Sequence, residues 1–430
     1  MRYATFPSYP DRCGWNALLP ARQPTPAARG TLDARCVIVG AGFTGLAAAR
    51  RLAGREPGAD VVVLEATTVG EGSSARNSGF LSREDIPGSS SAGAVTKTAL
   101  RNRYETEAFD DLSRLISQNG IDCDLEQTGR IKGAATAGGE ASVRDMLSVV
   151  QALNIPHALL DTGQLRERIG TSYYRLGLFT GIGHLVQPAA LIRGLADTLP
   201  PAVRLYEQSP VVTLSKRGKW HLETPDARIS ADIVILATNA SVASFGYLRD
   251  RVVTIYTYAA ITRPMAPVES AAIGAMPAWG LLPAHRLGTT LRRVGEDRLL
   301  IRSLYAYERG LPPAQVETEL RARFHRRYPE LGHVGFDHVW GGTTALTMNG
   351  APAWGKLDDG LYASAGCNGA GIVKGTVLGR CLADFICGED VEPGLLAAYG
   401  SASWIAPEPF RTLGFKAVSA IERRKAGREN

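Results

Sequence analysis

The stretch RCVIVGAGFTGLAAARRLAG, residues 35–54, decides the fold. Its apolar run at residues 36–39 predicts a short buried strand, and the residues from 45 to 52 predict the start of a helix. A second apolar run, ADVVVLEA at residues 59–66, predicts another strand. Runs that are apolar throughout are typical of parallel sheets covered on both faces. Together these segments predict a βαβ unit.

Three glycines follow the first strand in the spacing Gly40-x-Gly42-x-x-Gly45. In this context Gly40 permits a tight turn, Gly42 lets the backbone approach a pyrophosphate, and Gly45 lets the helix lie against the strand. Glu65 ends the second strand, 20 residues after Gly45 (65 − 45), where its carboxylate can accept from ribose hydroxyls. The alternative is a structural turn with a surface glutamate, but the spacing and the βαβ context favour a dinucleotide site.

The composition excludes several other classes of protein. The chain has 430 residues, 45% of them hydrophobic, and a formal net charge of +6 with both signs mixed along it. A nucleic-acid binder would show a concentrated basic stripe. The six cysteines form no CxxC pair and no zinc-type spacing, so we expect no metal site and a reduced, cytoplasmic setting. We also expect no signal peptide and no transmembrane segment.

The segment VGEGSSARNSGF, residues 69–80, bears on whether the dinucleotide is NAD or FAD. It directly follows the second strand, and its density of small residues indicates backbone that passes close to a flat ligand. Arg76 can face a phosphate or a flavin, and Asn77 can bond to a ring edge. A flexible loop is the alternative.

Two later segments favour FAD. ADIVILATNA, residues 231–240, predicts a strand that ends in a turn of small residues. The pattern Gly366-x-Asn368-Gly369-x-Gly371 precedes a predicted helix from about Ile372, and a second helix N-terminus can stabilise negative charge on a ligand. A simple NAD domain does not need this second glycine turn.

With these motifs the sequence resembles the FAD-dependent amine oxidases of the D-amino-acid oxidase superfamily, most closely the gamma-glutamylputrescine oxidase type. The matching pieces are VIVGAGFTGLAAA, VVVLEATTVGEGSSARNSGF, VWGGTTALTMNGAPAWG, GLYASAGCNGAGIVKGTVLGRCLADFICG and PEPFRTLGFKAVSAIERR. Relatives often carry a histidine in the last glycine motif, in the pattern G-x-S-G-H-G, whereas this chain has Cys367, Asn368 and Ala370. Sarcosine-oxidase-like members place a carboxylate-binding lysine two residues after the last glycine, whereas Lys374 lies three after Gly371. These departures leave the substrate open.

The resemblance implies an α/β fold with a Rossmann-like FAD-binding domain and an inserted mixed-sheet α+β substrate domain. We expect an irregular lead-in over residues 1–34. The FAD-binding domain is expected over residues 35–95, 171–245 and 331–430. The substrate domain is expected over residues 96–170 and 246–330.

Helical patterns occupy residues 96–128 and 140–170, and an amphipathic helix is predicted to start near Pro188. The closing segment places Phe410, Leu413, Ala417 and Ile421 at helical spacing. Its basic end predicts either a packed or solvated helix or a contact with a membrane surface. The basic residues are Arg423, Arg424, Lys425 and Arg428.

The resemblance also implies the oxidation of a C–N bond. A neutral amine or amino acid would bind against non-covalent FAD, pass a hydride from its α-carbon to flavin N5, and leave as an imine that hydrolyses. Dioxygen would reoxidise the flavin, with hydrogen peroxide as product. A dehydrogenase that passes electrons to a quinone or a partner protein, and a flavin-binding subunit of a larger assembly, are the alternatives. The oligomeric state stays open.

The motifs and the resemblance together give a set of expected cofactor-binding residues. It consists of the glycine turns, the loop after Glu65 and the neighbouring strand ends. The residues are Gly40, Gly42, Phe43, Thr44, Gly45, Glu65, Ala66, Gly72, Ser73, Ser74, Arg76, Asn77, Ser78, Val212, Ala237, Thr238, Asn239, Gly342, Gly366, Asn368, Gly369, Gly371, Ile372, Val373 and Lys374.

Five residues are predicted to act on the substrate. Tyr256 and Tyr258 share one face of a strand, where they either line an amine pocket or pack. Arg302 is costly to bury unpaired, so it either binds substrate or forms a structural ion pair. Trp340 lies beside the flavin or in the core. Lys374 is predicted to contact flavin or substrate.

Overall fold

The computed structural model describes residues 9–56 and 58–430. Strands and helices follow each other along the whole of this part of the chain. The strands are β1 (Gly30–Val39), β2 (Val61–Leu64), β3 (Phe80–Leu81), β4 (Arg130–Ala134), β5 (His157–Asp161), β6 (Leu176–Thr180), β7 (His184–Leu185), β8 (Val203–Tyr206), β9 (Thr213–Arg217), β10 (Lys219–Glu223), β11 (Ala227–Leu236), β12 (Val253–Thr262), β13 (Gly280–Pro283), β14 (Thr290–Val294), β15 (Arg298–Tyr307), β16 (Phe336–Leu346), β17 (Ala353–Asp358) and β18 (Leu361–Ala365). The α-helices are α1 (Gly14–Ala17), α2 (Phe43–Arg55), α3 (Ala92–Gln118), α4 (Ala137–Ala152), α5 (Thr162–Ile169), α6 (Pro188–Asp197), α7 (Pro267–Ala271), α8 (Pro313–Arg327), α9 (Val373–Ile386), α10 (Glu392–Tyr399) and α11 (Phe410–Ala426).

The first sheet contains the predicted βαβ unit. Its strand order is β17-β18-β11-β1-β2-β8, and the β9–β10 hairpin joins it through β11. The four central pairings, from β18 to β8, are parallel. Every residue of β2 is buried, because helices and loops cover both faces of a parallel sheet. Helices α2 and α9 pack against each other beside this sheet.

The second sheet is mixed, with the order β16-β12-β15-β14-β13-β4-β6-β5. Its pairings are antiparallel except that β13 runs parallel to β4. Helix α8 packs on β12 and β15. A Rossmann-like parallel sheet beside a mixed sheet with its own helices confirms the predicted fold class.

Two strands pair elsewhere than the predicted domain ranges imply. β6 lies between β4 and β5, and β16 lies on the edge of the second sheet against β12. Both fall in segments that the sequence assigned to the FAD-binding domain. The domain boundaries themselves stay a prediction, with these two strands placed in the other sheet.

Some predicted element bounds are wrong. The expected helix over residues 140–170 is two helices separated by β5, because α4 ends before Asn154, which has a positive φ of 51°, and Pro156 follows. The expected helix over 96–128 runs instead from Ala92 to Gln118. Residues 1–8 of the predicted lead-in lie outside the described residues, and its later part forms α1 and the first residues of β1. Trp15 in α1 is fully buried.

None of the helices in the described ranges is long and apolar enough to cross a lipid bilayer.

Candidate active site

A cavity of about 690 Å³ lies between the two sheets. One wall is formed at the carboxyl ends of β1, β2, β11 and β18, where Val39, Leu64, Ala237 and Ala365 line it. The opposite wall is formed by β12, β14, β15 and β16 of the second sheet. Ligands of open parallel sheets bind outside the carboxyl ends of the strands, so this is the expected place for a cofactor.

Most of the predicted cofactor-binding residues line this cavity. They are Gly40, Gly42, Phe43, Thr44, Glu65, Ala66, Gly72, Ser73, Ser74, Arg76, Asn77, Ser78, Ala237, Thr238, Asn239, Gly342, Asn368, Gly369, Gly371 and Ile372. The other predicted residues of this set lie behind the wall. They are Gly45, Val212, Gly366, Val373 and Lys374.

The glycines of the first turn lie so close to neighbouring protein atoms that a side chain would collide with them. Gly40 has a φ of +105°, and a Cβ there would lie 2.9 Å from the carbonyl oxygen of Ala237. A Cβ at Gly42 would lie 2.7 Å from Oγ of Ser74. A Cβ at Gly45 would collide with the carbonyl oxygen of Gly40, so Gly45 serves the packing of α2 on β1.

Glu65 presents a half-buried carboxylate to the cavity. One oxygen accepts from the backbone N–H of Ala41 at 3.0 Å, and the other accepts from the backbone N–H of Thr67 at 3.1 Å. Burial raises the pKa of Glu65, and within the described chain no cation forms an ion pair with it. A carboxylate of this kind is stabilised by further donors, which the hydroxyls of a ribose supply.

In the loop at residues 69–80, Arg76 and Asn77 use their polar groups in hydrogen bonds within the protein. The guanidinium of Arg76 donates to the carbonyl oxygens of Gly341 and Asp11, at 2.9 and 2.7 Å, and pairs with Glu71. Asn77 donates to the carbonyl of Ser74 and accepts from the N–H of Gly79. Both side chains therefore fix the loop, and its backbone and small side chains line the cavity.

The two serines of the loop keep their hydroxyls close to the cavity. Ser74 Oγ accepts from the N–H of Phe43 at 3.3 Å, so the loop contacts the first turn of α2. Ser73 Oγ lies 2.9 Å from the hydroxyls of both Tyr9 and Thr343.

The N-terminal ends of α2 and α9 both point toward the cavity. Neither helix has an N-cap side chain that bonds to it. The N–H of Phe43 donates to Ser74, so the N–H groups that follow it in α2 and the first ones of α9 are the donors that could meet an anionic ligand. The two helices approach closely because α9 presents Gly375 and Gly379 to Thr44, where a Cβ on Gly379 would collide with the carbonyl oxygen of Thr44. Thr238 Oγ1 is buried at the cavity wall without a hydrogen-bond partner in the described chain.

The donor set of the cavity fits FAD. Two uncapped helix N-termini suit a pyrophosphate and an electron-rich ring edge, and Glu65 suits a ribose. The unpartnered hydroxyl of Thr238 marks a place where a polar ligand atom is needed. No cluster of three or more metal-binding side chains occurs in residues 9–56 and 58–430.

The wall formed by the second sheet carries a cation. Arg302 donates from Nε to Oγ1 of Thr257 at 3.1 Å and from one terminal nitrogen to the hydroxyl of Tyr305 at 2.6 Å. All three side chains line the cavity. No carboxylate of the described chain lies within ion-pair distance of Arg302. The structural ion pair that was the alternative for Arg302 is therefore not formed.

A β-bulge brings Arg302 and Tyr305 to the same face. Strict alternation would place residues three apart on opposite faces of a strand. Here Thr257 pairs with Tyr305 and Tyr258 pairs with Ser303, so Leu304 is an extra residue, and its φ is +63°. The bulge turns the Tyr305 ring toward the guanidinium.

The structure does not bring four of the predicted substrate residues to the cavity. Tyr256 and Tyr258 do share a face, but Thr257 faces the cavity and the hydroxyl of Tyr258 accepts from the N–H of Leu311. Trp340 is buried against Trp15, with ring centroids 6.3 Å apart.

Lys374, the fourth, is buried beside the ring of Tyr399 and donates to the carbonyl of Gly350 at 3.4 Å. Helix α9 begins at Val373, so a residue one position later than the family pattern points about 100° further round the helix, away from the cavity. Burial lowers the pKa of Lys374.

Sequence reasoning missed several lining residues. Phe415, Ser419, Glu422 and Arg423 of α11 cover the end of the cavity near Arg302. Phe415, Ser419 and Glu422 are spaced by 4 and 3 residues and share one helix face, with Arg423 beside it. This face is more polar than the opposite one, so the apolar spacing of α11 indicated the opposite face. Val211 lines the cavity in place of Val212, whose N–H pairs with the carbonyl of Glu223.

Comparison with known proteins gives one family and several relatives. Residues 35–385 match the family model described as DAO, FAD dependent oxidoreductase. The chain is 27% identical over 408 residues to a probable oxidoreductase OrdL of Rhizobium meliloti, covering 91% of each protein. It is also 27% identical to gamma-glutamylputrescine oxidoreductase of Escherichia coli, covering 82% of this chain and 83% of that one. The crystal structure of glycine oxidase from Geobacillus kaustophilus superposes with a TM-score of 0.72 at 21% identity, over 86% of this chain and 99% of that chain.

Proposed function

Because this chain belongs to the DAO family of FAD dependent oxidoreductases, we propose that it oxidises the C–N bond of a small amine or amino acid that carries a carboxylate group. Its relatives support an amine or amino acid as the class of substrate, since one is a gamma-glutamylputrescine oxidoreductase.

The observation that carries the proposal is the environment of Arg302. Its guanidinium is held by two hydroxyls, from Thr257 and Tyr305, and by no carboxylate of the described chain. Hydroxyl groups orient a cation without neutralising it, so the site retains a positive charge that attracts an anionic group. A planar guanidinium binds a carboxylate through two parallel hydrogen bonds, which also fixes the orientation of the substrate.

The side chains around the cavity supply orientation and exclusion of water. FAD, when bound, accepts the hydride that leaves the substrate carbon. Glu65, the glycine turns and the N-terminal ends of α2 and α9 are the groups that would hold it. Arg302 holds the substrate carboxylate, and Phe415 of α11 excludes water from this end of the cavity.

The acceptor and the location belong to the same proposal. We take dioxygen as the acceptor and hydrogen peroxide as the product, with non-covalent FAD. The six cysteines are all free, which supports a reducing compartment such as the cytoplasm. Transfer of electrons to a quinone or to a partner protein is the competing possibility.

The test is the visible spectrum of the purified protein under anaerobic conditions. We expect a flavin spectrum that bleaches when carboxylate-bearing amines or amino acids are added. The spectrum should recover when air is admitted, and one hydrogen peroxide should form for each flavin that is reoxidised. If the bleached spectrum recovered only after a quinone was added, the acceptor would be a quinone and not dioxygen. A flavin that no amine or amino acid bleaches would contradict the proposed reaction.

A further inference from the structure

Helix α11 turns an apolar stripe away from the protein. The stripe consists of Phe410, Leu413, Ala417 and Ile421, and we call it the outer stripe. Phe410, Leu413 and Ile421 are 67%, 60% and 55% exposed. Their spacing of 3, 4 and 4 residues places them on one face of the helix.

The inner face of α11 is the more polar one. Ser419 and Glu422 point toward the cavity, and Glu422 pairs with Arg286 at 2.8 Å. A surface helix of a globular protein has the opposite arrangement, with apolar residues inside. An apolar face that is turned outward indicates contact with another apolar phase or molecule.

The charges around the outer stripe are basic. Residues 404–430 contain six lysines and arginines and three glutamates. The three glutamates are held by the protein itself: Glu408 pairs with Arg411, Glu422 with Arg286, and Glu429 is buried and accepts from the N–H of Ala135 at 2.7 Å. Arg411 and Lys425 are paired with Glu408 and Glu422, and the other cations leave the outward charge of this segment positive.

The cations are in a position to bind anions. Lys416 and Arg424, which flank the stripe, have no carboxylate partner in the described chain. Trp404, just before α11, is 56% exposed. Apolar residues on one face with arginine and lysine beside them, together with an exposed tryptophan, are the features of a helix that lies in a membrane interface.

We propose that the outer stripe of α11 docks onto an anionic lipid leaflet. A second copy of the chain is disfavoured because Lys416 and Arg424, which have no carboxylate partner in the described chain, lie at separate positions along the stripe, while Arg411 and Lys425 are paired with Glu408 and Glu422. The cations of two such helices would repel each other whether the helices packed parallel or antiparallel. An anionic leaflet would bury the outer stripe in its acyl chains and pair the cations with its headgroups.

The proposal places the opening of the cavity at the membrane. Val418 lines the cavity and is also 53% exposed, so the cavity reaches the surface beside the outer stripe. Apolar molecules dissolved in the lipid would then reach the site without crossing water. This inference stands apart from the proposed reaction, because it rests on the outer face of α11.

The test is co-sedimentation of the FAD-loaded protein with vesicles of phosphatidylcholine, with and without phosphatidylglycerol. We expect binding to the anionic vesicles that high salt weakens. The double variant L413Q/I421Q should bind at least about tenfold more weakly, and R424E/K425E should lose the preference for anionic lipid. The matched controls are V268Q, an exposed valine on α7, and K97E, an exposed lysine on α3.

Flavin content and circular dichroism of each variant report whether it folds. The proposal is overturned if the unmodified protein does not sediment with anionic vesicles. Equal binding of L413Q/I421Q and V268Q by those vesicles would also overturn it. A dimer in gel filtration that L413Q/I421Q dissociates in the absence of lipid would identify a second copy as the occupant instead.

Discussion

Glu65 is a residue whose chemistry depends on pH. Burial raises its pKa, so the charged carboxylate destabilises the cofactor-free fold. The free energy of unfolding of the cofactor-free protein should therefore decrease as the pH rises from the ordinary carboxyl range through that raised pKa. A ribose that donates to the carboxylate favours the charged form, so FAD affinity should increase over the same interval.

We predict that E65Q lowers FAD affinity by roughly tenfold or more and removes its pH dependence in the acidic range. The measurement is a flavin-fluorescence titration of the cofactor-free protein at several pH values. E84Q, at an exposed glutamate, is the control. An E65Q variant that keeps the pH dependence of the unmodified protein would show that another group is responsible.

Arg302 should decide which amines are substrates. We predict that R302A raises the KM for carboxylate-bearing substrates by about ten- to a hundredfold, the loss expected for hydrogen bonds to a charged group. R302K should lose less, because it keeps the charge but not the planar pair of donors. R298K, on the same strand in an ion pair with Asp337, is the control. Steady-state kinetics with an amine that lacks a carboxylate completes the test, since an equal loss with that amine would contradict the assignment.

At this scale the sequence predicts backbone sites better than side-chain partners. The positions of Gly40, Gly42 and Glu65 at the cavity could be predicted because they follow from local spacing within one βαβ unit. Arg76 could not, because its partners Asp11 and Gly341 lie 65 and 265 residues away along the chain. The sequence of a loop does not indicate hydrogen-bond acceptors that lie so far away along the chain.

Among the helices, the crossing of α2 and α9 sets the direction of both N-termini. We predict that G379A destabilises the protein by about 1–3 kcal/mol, because the new methyl group would collide with the carbonyl of Thr44 and push the helices apart. Thermal unfolding measures the loss, and FAD titration reports the displaced helix ends. G414A, in an exposed helix position with open space around its Cβ, is the matched control and should be neutral or stabilising by about 0.5–1 kcal/mol. Equal unfolding temperatures of the two variants would contradict this role of the crossing.

Strand β15 shows where element patterns stop being predictive. Alternation correctly places Tyr256 and Tyr258 of β12 on one face, but it does not say which face meets the cavity. The bulge at Leu304 breaks the alternation in β15. The sequence LLIRSLYAYE contains no glycine or other residue that would predict it. Its cause is the pairing with β12, which is a contact between distant segments.

On the scale of the whole molecule, the cavity lies between the two sheets and is lined by both of them. FAD bound there would contact both, so it should stabilise the entire fold. We predict that a hundredfold excess of FAD over its Kd adds about 2.7 kcal/mol to the free energy of unfolding and raises the Tm in proportion to the logarithm of its concentration. Differential scanning calorimetry of the cofactor-free protein measures this shift. FMN, which lacks the adenosine that Glu65 is expected to hold, is the control, and an equal shift with FMN would contradict that position of Glu65.

The overall fold was more predictable than the inserted sheet. Uninterrupted apolar strands and glycine turns identify the parallel sheet from short segments. The inserted sheet takes β4, β5 and β6 from one part of the chain and β12 to β16 from another. Its order depends on pairings between these parts, which is why β6 and β16 were assigned to the other domain.

The close approach of Thr44 to Gly379 has a consequence for synthesis on the ribosome. β1 and α2 emerge early, but their partners β11 and α9 begin 197 (227 − 30) and 330 (373 − 43) residues later. Until α9 has left the exit tunnel, the nascent chain holds half of a cofactor site and strands with no cover. Such late pairing slows folding and leaves apolar surface open to aggregation. Rapid overexpression should therefore yield insoluble protein that slower translation or added chaperones rescue.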